Sequence, residues 1–447
     1  MKGEALKTGT PAPHALPLAP HANVAVIGGG WAGMAAAVEL AAHNVPVTVF
    51  EAGAIPGGRA RRVEINGVAL DNGLHILIGA YRETLRLIGL VNPDWRTVLR
   101  RMPLDWNIHN EFRLSAPRLP APLHVFAGLL GVSGIGWQEK LDVLRFMRAL
   151  KRARFRLPAD ISVEQLLEQH GQNEKLRRVL WRPLCVAALN TPPAIASAQV
   201  FLNILRDSLY AERGASDILL PRVDLSALFP EPAAAWITQH GGRMRTACRV
   251  TAIEPLENGF AVEAGDIREN FTHVICALPP HQINAFLIGV TALSDITETI
   301  ERFHYQPIHS VWLQYPERIR LPSPMFGSTG GIVHWIFDRE ALCGQRGLIG
   351  AVISASGAHL QLPQDELAVQ VHQELKRVLG PLPEPAWARV IAEKRATFSC
   401  TPGLKRPSPA TPLRNFYLAG DYTESDYPAT IEAATQSGIA CANLICH

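Results

Sequence analysis

The stretch NVAVIGGGWAGMAAAVEL, residues 23–40, constrains more than any other what this chain can fold into. An apolar run, VAVI, meets glycines at 28, 30 and 33 in G-x-G-x-x-G spacing, and Met34 to Ala42 supply a small-residue helix able to lie close to a sheet. Gly28 permits the tight turn, Gly30 lets a pyrophosphate approach the backbone, and Gly33 allows close helix packing, with the positive helix end facing the phosphates. A second apolar run, VPVTVF, leads to Glu51, 18 residues after Gly33. A carboxylate there accepts hydrogen bonds from ribose hydroxyls and repels a 2′-phosphate. The pattern predicts an α/β, Rossmann-like domain that binds an adenine dinucleotide other than NADP. NAD and FAD share this half and are not separated by it.

At 447 residues the chain exceeds what one core usually supports, so a second or inserted domain is expected. Residues 1–22, with two lysines and four prolines and no continuous apolar core, read as a mobile N-terminal arm and not as a signal peptide. Segments 23–100, 235–290 and 390–447 carry the strand and turn patterns of the nucleotide domain. Segment 101–234 reads as helical, and runs at 308–315, 332–337 and 348–354 read as an antiparallel sheet, so 101–234 and 291–389 are assigned to a substrate domain. The 43 basic and 40 acidic residues leave a formal charge of +3, too balanced to indicate a nucleic-acid partner. Seven cysteines without a C-x-x-C pair argue against a disulfide framework and a zinc site and fit a reducing cytoplasm; no metal is expected.

Two further motifs bear on the cofactor. After Glu51 comes AGAIPGGRARR, in which Gly57 and Gly58 allow a turn back toward the phosphates and Arg59 offers a fork of donors to them. Near the C-terminus, NFYLAGDYTESDYPATIEAATQSGIACANLI places Gly420 and Asp421 at a strand end and Pro428 at the entry to a helix. Gly420 would let the chain pass a ribityl chain, Asp421 would accept from its hydroxyls, and the helix N-terminus would face the pyrimidine edge of a flavin. The alternative is an ordinary Gly-Asp turn.

Together with LDNGLHILIGAYRETLRLIGLV at 70–91 and GIVHWIFDRE at 331–340, these segments resemble the FAD-dependent amine-oxidase and phytoene-desaturase superfamily, and within it the hydroxysqualene dehydroxylases. The likeness runs from Asn23 to the end, with Leu74 standing where a polar residue is expected. It implies FAD held by Gly28, Gly30, Trp31, Ala32, Gly33, Glu51, Ala52, Gly57, Gly58, Arg59, Gly73, Val250, Ala277, Gly420, Asp421, Thr430, Ile431 and Glu432, with Val250 at the adenine and the residues from Thr430 to Glu432 beside the flavin ring. The implied reaction is reductive removal of the hydroxyl of hydroxysqualene, a hydrophobic triterpenoid, to give squalene in squalene and hopanoid biosynthesis. An external electron donor is expected, because the chain holds one G-x-G-x-x-G turn. Alternatives are a carotenoid or phytoene-type polyene desaturase and a non-catalytic prenyl-lipid carrier on the same fold.

Hydroxide leaves poorly at neutral pH, so an acid must protonate the departing hydroxyl. Asp71 and His75 are the candidates for that acid or its relay, with turn and backbone hydrogen bonding as their other reading. Trp335 and Phe337 alternate on a strand and either floor a hydrocarbon tunnel or belong to the core. Residues 119–137, LPAPLHVFAGLLGVSGIGW, lack acids, lysine and arginine, yet their prolines and glycines argue against a spanning helix. With six basic residues between Arg145 and Arg156, they predict contact with a membrane surface, peripheral on its cytoplasmic side, the other reading of the basic residues being a solvated helix face.

Overall fold

The computed structural model describes residues 22–286 and 291–447. The arm expected at residues 1–22 lies, Ala22 excepted, outside them. Three distant parts of the chain build one parallel sheet, ordered Arg243–Arg245, Val47–Phe50, Val24–Ile27, His273–Cys276 and Phe416–Leu418. Strands Val24–Ile27 and Val47–Phe50 are wholly buried, as continuous apolar runs in a parallel sheet require. Helix Trp31–Ala42 covers one face and packs on helix Ile431–Cys446 so closely that a Cβ on Gly438 would fall 2.1 Å from the Ala32 carbonyl oxygen.

A second, seven-stranded sheet runs Trp387–Phe398, Tyr305–Gln314, Leu348–Ser354, Trp335–Asp338, Met325–Gly327, Asp105–Ile108 and Phe112–Ser115. It is antiparallel, as its alternating runs suggest, save one parallel junction at Gly327 and Ile108. One face packs Val311, Leu313, Ile336 and Ile353 under Leu367, Val371 and Leu375 of helix Gln364–Leu379. The opposite face is turned toward the cavity described below.

Two boundaries differ from the sequence reading. Segment 101–234 is not purely helical, since its short runs DWNI and FRLS pair at the far edge of the second sheet. The boundary placed at residue 390 falls inside strand Trp387–Phe398, which belongs entirely to that sheet, because its long register with Tyr305–Gln314 outweighs proximity in sequence to the C-terminal turn. The C-terminal helix starts at Ile431, three residues after Pro428, where the Thr430 hydroxyl accepts from the Ala433 amide at 3.1 Å.

Candidate active site

A cavity of about 1230 Å³ is lined from both sheets. Most small-molecule sites occupy roughly 300–1,000 Å³, so a dinucleotide and a second ligand fit together. Gly28, Gly30, Trp31, Ala32, Glu51, Ala52, Gly57, Gly58, Val250 and Ala277 all stand on its wall. Gly28 has φ +107°, and a Cβ on it would lie 2.7 Å from the Ala277 carbonyl oxygen. Gly33 sits behind the turn, off the cavity wall, where a Cβ would fall 2.0 Å from the Gly28 carbonyl oxygen. Gly30 differs: the nearest protein atom to a Cβ there is the Gly58 Cα at 3.9 Å, so the space left by the missing side chain opens to a ligand. The Glu51 carboxylate accepts from the amides of Gly29 at 2.7 Å and Gly53 at 2.6 Å, which fixes its direction and leaves lone pairs for further donors.

Arg59 lines the cavity, but its guanidinium is engaged by protein, donating to Asp421 Oδ1 at 2.7 Å and to the Ala396 carbonyl at 2.6 Å. It therefore joins the glycine turn to the Gly420–Asp421 corner instead of standing free for phosphates. Gly420 also has a protein reason to be glycine, since a Cβ would lie 2.2 Å from the Tyr422 ring. Thr430 and Ile431 bring the helix N-terminus to the cavity. Glu432 does not join them. Its buried carboxylate accepts from the Glu83 and Thr84 amides at 3.1 and 2.9 Å and from the Thr84 hydroxyl at 2.7 Å, capping helix Arg82–Val91. A helix turns about 100° per residue, so two neighbours of one lining position need not face the same way.

The run at residues 71–75 splits likewise. Gly73, Leu74 and His75 line the cavity, whereas Asp71 is withdrawn from it, accepting from the Leu225 amide at 2.8 Å and from Arg339 at 3.3 Å. Burial raises the Asp71 pKa to about 6, against the opposing pull of Arg339 and the Leu225 amide. Sealed in this pair, Asp71 has no path to a ligand. His75 Nδ1 lies 2.8 Å from the Gly73 carbonyl oxygen, which only accepts, so Nδ1 carries the proton and Nε2 is left as an acceptor. Burial lowers the His75 pKa and the Arg59 charge adds to this, against the opposing hydrogen bond to Gly73; the net lowering disfavours the charged ring that a role as acid requires.

Across the cavity, Trp335 and Phe337 are buried on the inward face of the second sheet with Met325 and Val352, beside the half-buried Ile308. The sequence reading missed Asn190, Ser354, Glu393, Thr397 and Tyr422, all of them on the wall. Only the adjacency of Tyr422 to the Gly-Asp pair offered a local signal.

The family model for flavin-containing amine oxidoreductases matches residues 31–446. The chain belongs to this family. Over 440 residues it is 29% identical to the hydroxysqualene dehydroxylase of Rhodopseudomonas palustris, covering 95% of this chain and 98% of that protein. It is 24% identical over 485 residues to a zeta-carotene desaturase of Zea mays, covering 96% and 84%. Among solved structures, the cyclohexylamine oxidase of Brevibacterium oxydans superposes with a TM-score of 0.68 at 18% identity, covering 96% of this chain and 99% of that one.

The chain is accordingly an FAD-dependent oxidoreductase, and its cavity fits the cofactor on three points. The space beside Gly30 is left by protein, Glu51 presents an oriented carboxylate, and the buried Tyr422 hydroxyl has no hydrogen-bond partner among the described residues. Together with Val250, Ala277, Asp421 and the helix N-terminus at Thr430, these groups would hold FAD along the cavity wall.

Proposed function

We propose that this FAD-dependent oxidoreductase reductively removes the hydroxyl of hydroxysqualene to give squalene, drawing electrons from an external donor. The observation that carries the reading is similarity along nearly the whole chain to hydroxysqualene dehydroxylase, at 29% identity. A largely apolar wall of Ile308, Met325, Trp335, Phe337 and Val352 suits a long hydrocarbon. Reduced FAD, when bound, supplies a hydride to the carbon that loses the hydroxyl, and one proton completes water.

The proton falls to Glu393 under this reading. Three carboxylates line the cavity among the described residues: Glu51 is held by two short hydrogen bonds from backbone amides, Asp421 by Arg59, and Glu393 makes no ion pair and accepts only a long bond from the Arg395 amide, at 3.4 Å. Ile308 pairs across the second sheet with Ser354 on one side and Glu393 on the other, so all three project from the same face. Anaerobic mixing of photoreduced protein with hydroxysqualene tests the reading. Flavin reoxidation with formation of squalene supports it. Failure to reoxidise, with desaturation of phytoene or zeta-carotene by the oxidised protein, would transfer the chain to the desaturase reading that its likeness to the Zea mays enzyme also supports.

A lipid surface is the proposed source of such a substrate. No helix among the described residues is long and apolar enough to cross a membrane. Helices Leu123–Leu130 and Trp137–Arg152 nevertheless leave Leu123, Leu130, Trp137 and Leu141 exposed, Trp137 by 68%. Trp137, Leu141, Arg145, Arg148 and Arg152 form one exposed stripe at helical spacing, apolar in its first half and basic in its second. Such a stripe suits the boundary between acyl chains and anionic headgroups.

A further inference from the structure

The hydroxyls of Thr397 and Ser354 line the cavity, and neither donates a hydrogen bond among the described residues. Both side chains are buried, at 7% and 8% exposure, in a wall otherwise dominated by Ile308, Val352, Trp335 and Phe337. Thr397 Oγ1 already accepts from Asn190 Nδ2 at 3.0 Å. Asn190 is itself locked, its Oδ1 accepting from the Ala355 amide at 2.7 Å and its backbone set in the left-handed region at φ 45°. A hydroxyl whose lone pair is occupied by a fixed donor has its own proton free to turn toward a ligand. The Ser354 hydroxyl makes no hydrogen bond among the described residues, while its amide donates to His334 Nδ1 at 3.2 Å. A donor that faces an apolar ligand costs free energy unless that ligand also offers it an acceptor. Neither a hydrocarbon nor a polyene can do so.

We infer that Thr397, primed by Asn190, together with Ser354, forms a recognition corner for a single oxygen on an otherwise hydrocarbon substrate. This rests on the proposed dehydroxylation and deepens it: the corner makes the site select an isoprenoid alcohol over the hydrocarbon of the same length and favours release of the product once its oxygen has left as water. Thr397 and Ser354 are specificity residues here, and Asn190 is a positioning residue. The corner involves neither the Arg59–Asp421 pair nor the glycine turn, so it can be altered without dismantling the cofactor site.

The test is equilibrium binding of hydroxysqualene and squalene to the oxidised, FAD-loaded protein, followed by perturbation of the flavin absorption band. The unaltered protein should bind the alcohol more tightly than the hydrocarbon by about tenfold, as one or two net hydrogen bonds provide. Thr397→Val and Ser354→Ala should each lower that preference by roughly threefold or more, with squalene affinity and FAD content unchanged, and Thr397→Ser should restore it. Equal affinity for the two probes in the unaltered protein overturns the inference, as does an undiminished preference in both variants. Because the oxidised protein is used, these outcomes are independent of turnover: alcohol-selective binding without reduction would refute the dehydroxylation and leave the corner standing, whereas turnover without selectivity would do the reverse.

Discussion

Arg59 and Asp421, 362 residues apart in the chain, meet through a hydrogen-bonded ion pair of 2.7 Å at the wall of the FAD cavity. The same guanidinium holds the Ala396 carbonyl on the second sheet, so one side chain ties the glycine turn, the C-terminal corner and the substrate-side sheet together. Arg59→Ala should therefore loosen the cofactor site as a whole. The Arg59 side chain is 35% exposed, which limits the effect to about 1–2 kcal/mol, or roughly 5- to 30-fold weaker FAD binding. Fluorescence titration of deflavinated protein with FAD measures this, and an unchanged affinity would show that the pair plays no part in holding the cofactor.

Asp71 gives a pH signature separate from catalysis. Its folded-state pKa of about 6 lies above the model-peptide range, so the folded protein binds this proton more tightly than the unfolded chain does. The resulting stabilisation is fullest in acid, below the unfolded pKa, and is lost as pH rises through about 6. Asp71→Asn keeps an acceptor for the Leu225 amide and removes the titration. The difference in Tm between Asp71→Asn and the parent should move in favour of the substitution as pH is raised from about 4 to 7. The flavin reoxidation rate should be unaltered. A rate collapse at full FAD content would instead return Asp71 to the mechanism.

Glu432 is expected to matter for folding more than for redox chemistry. Its carboxylate satisfies two first-turn amides of helix Arg82–Val91 and the Thr84 hydroxyl in a buried setting. Glu432→Ala leaves the two amides unpartnered, the Thr84 hydroxyl keeping Thr435 Oγ1 at 3.2 Å, and should cost about 2–3 kcal/mol of stability in denaturant unfolding. The flavin spectrum of the folded fraction should keep its shape.

The division between what the sequence discloses and what it hides follows the range of the interactions. Gly28, Gly33 and Glu51 are readable because a strand, a turn and a helix within thirty residues impose their geometry locally, and the structure adds only which carbonyl each glycine avoids. Gly420 and Asp421 are readable as a strand-end turn, but the Tyr422 ring that forbids a side chain at Gly420 is a packing fact. The fate of Glu432 depends on which way the helix is rotated against Thr84, 348 residues away. Asp71 and His75 occupy one short motif, yet Arg339 draws the first into the core while the second stays on the cavity wall. Asn190, at the end of helix Arg182–Leu189, reaches Thr397 across 207 residues through tertiary packing, for which neither neighbourhood carries a signal.

Glu393→Gln separates proton delivery from binding. The amide keeps the shape of the side chain and cannot donate a carboxylic proton, so single-turnover reoxidation of the reduced protein by hydroxysqualene should slow by roughly 10²-fold or more. FAD content and squalene binding should be unchanged. A rate within about threefold of the parent, too small for loss of general acid catalysis, would exclude Glu393 as the donor.

Membrane contact rests on a stripe with two halves, and the halves respond to different perturbations. Trp137 and Leu141 are one helical turn apart and exposed by 68% and 44%, while Arg145, Arg148 and Arg152 continue the stripe. Burying an apolar side chain of this size contributes about 1.5–3 kcal/mol whatever the ionic strength, whereas attraction of arginines to anionic headgroups fades within a Debye length of about 8 Å at physiological salt. Trp137→Ser with Leu141→Ser should therefore weaken sedimentation with phosphatidylglycerol-containing vesicles by at least about tenfold at both low and high salt. Arg148→Gln with Arg152→Gln should weaken it mainly at low salt. Since both pairs lie on the solvent side of helix Trp137–Arg152, melting temperature and FAD content should hold. Equal vesicle binding by all three proteins would place the lipid contact elsewhere on the molecule, and a defect confined to the arginine variant would leave electrostatic attraction without insertion.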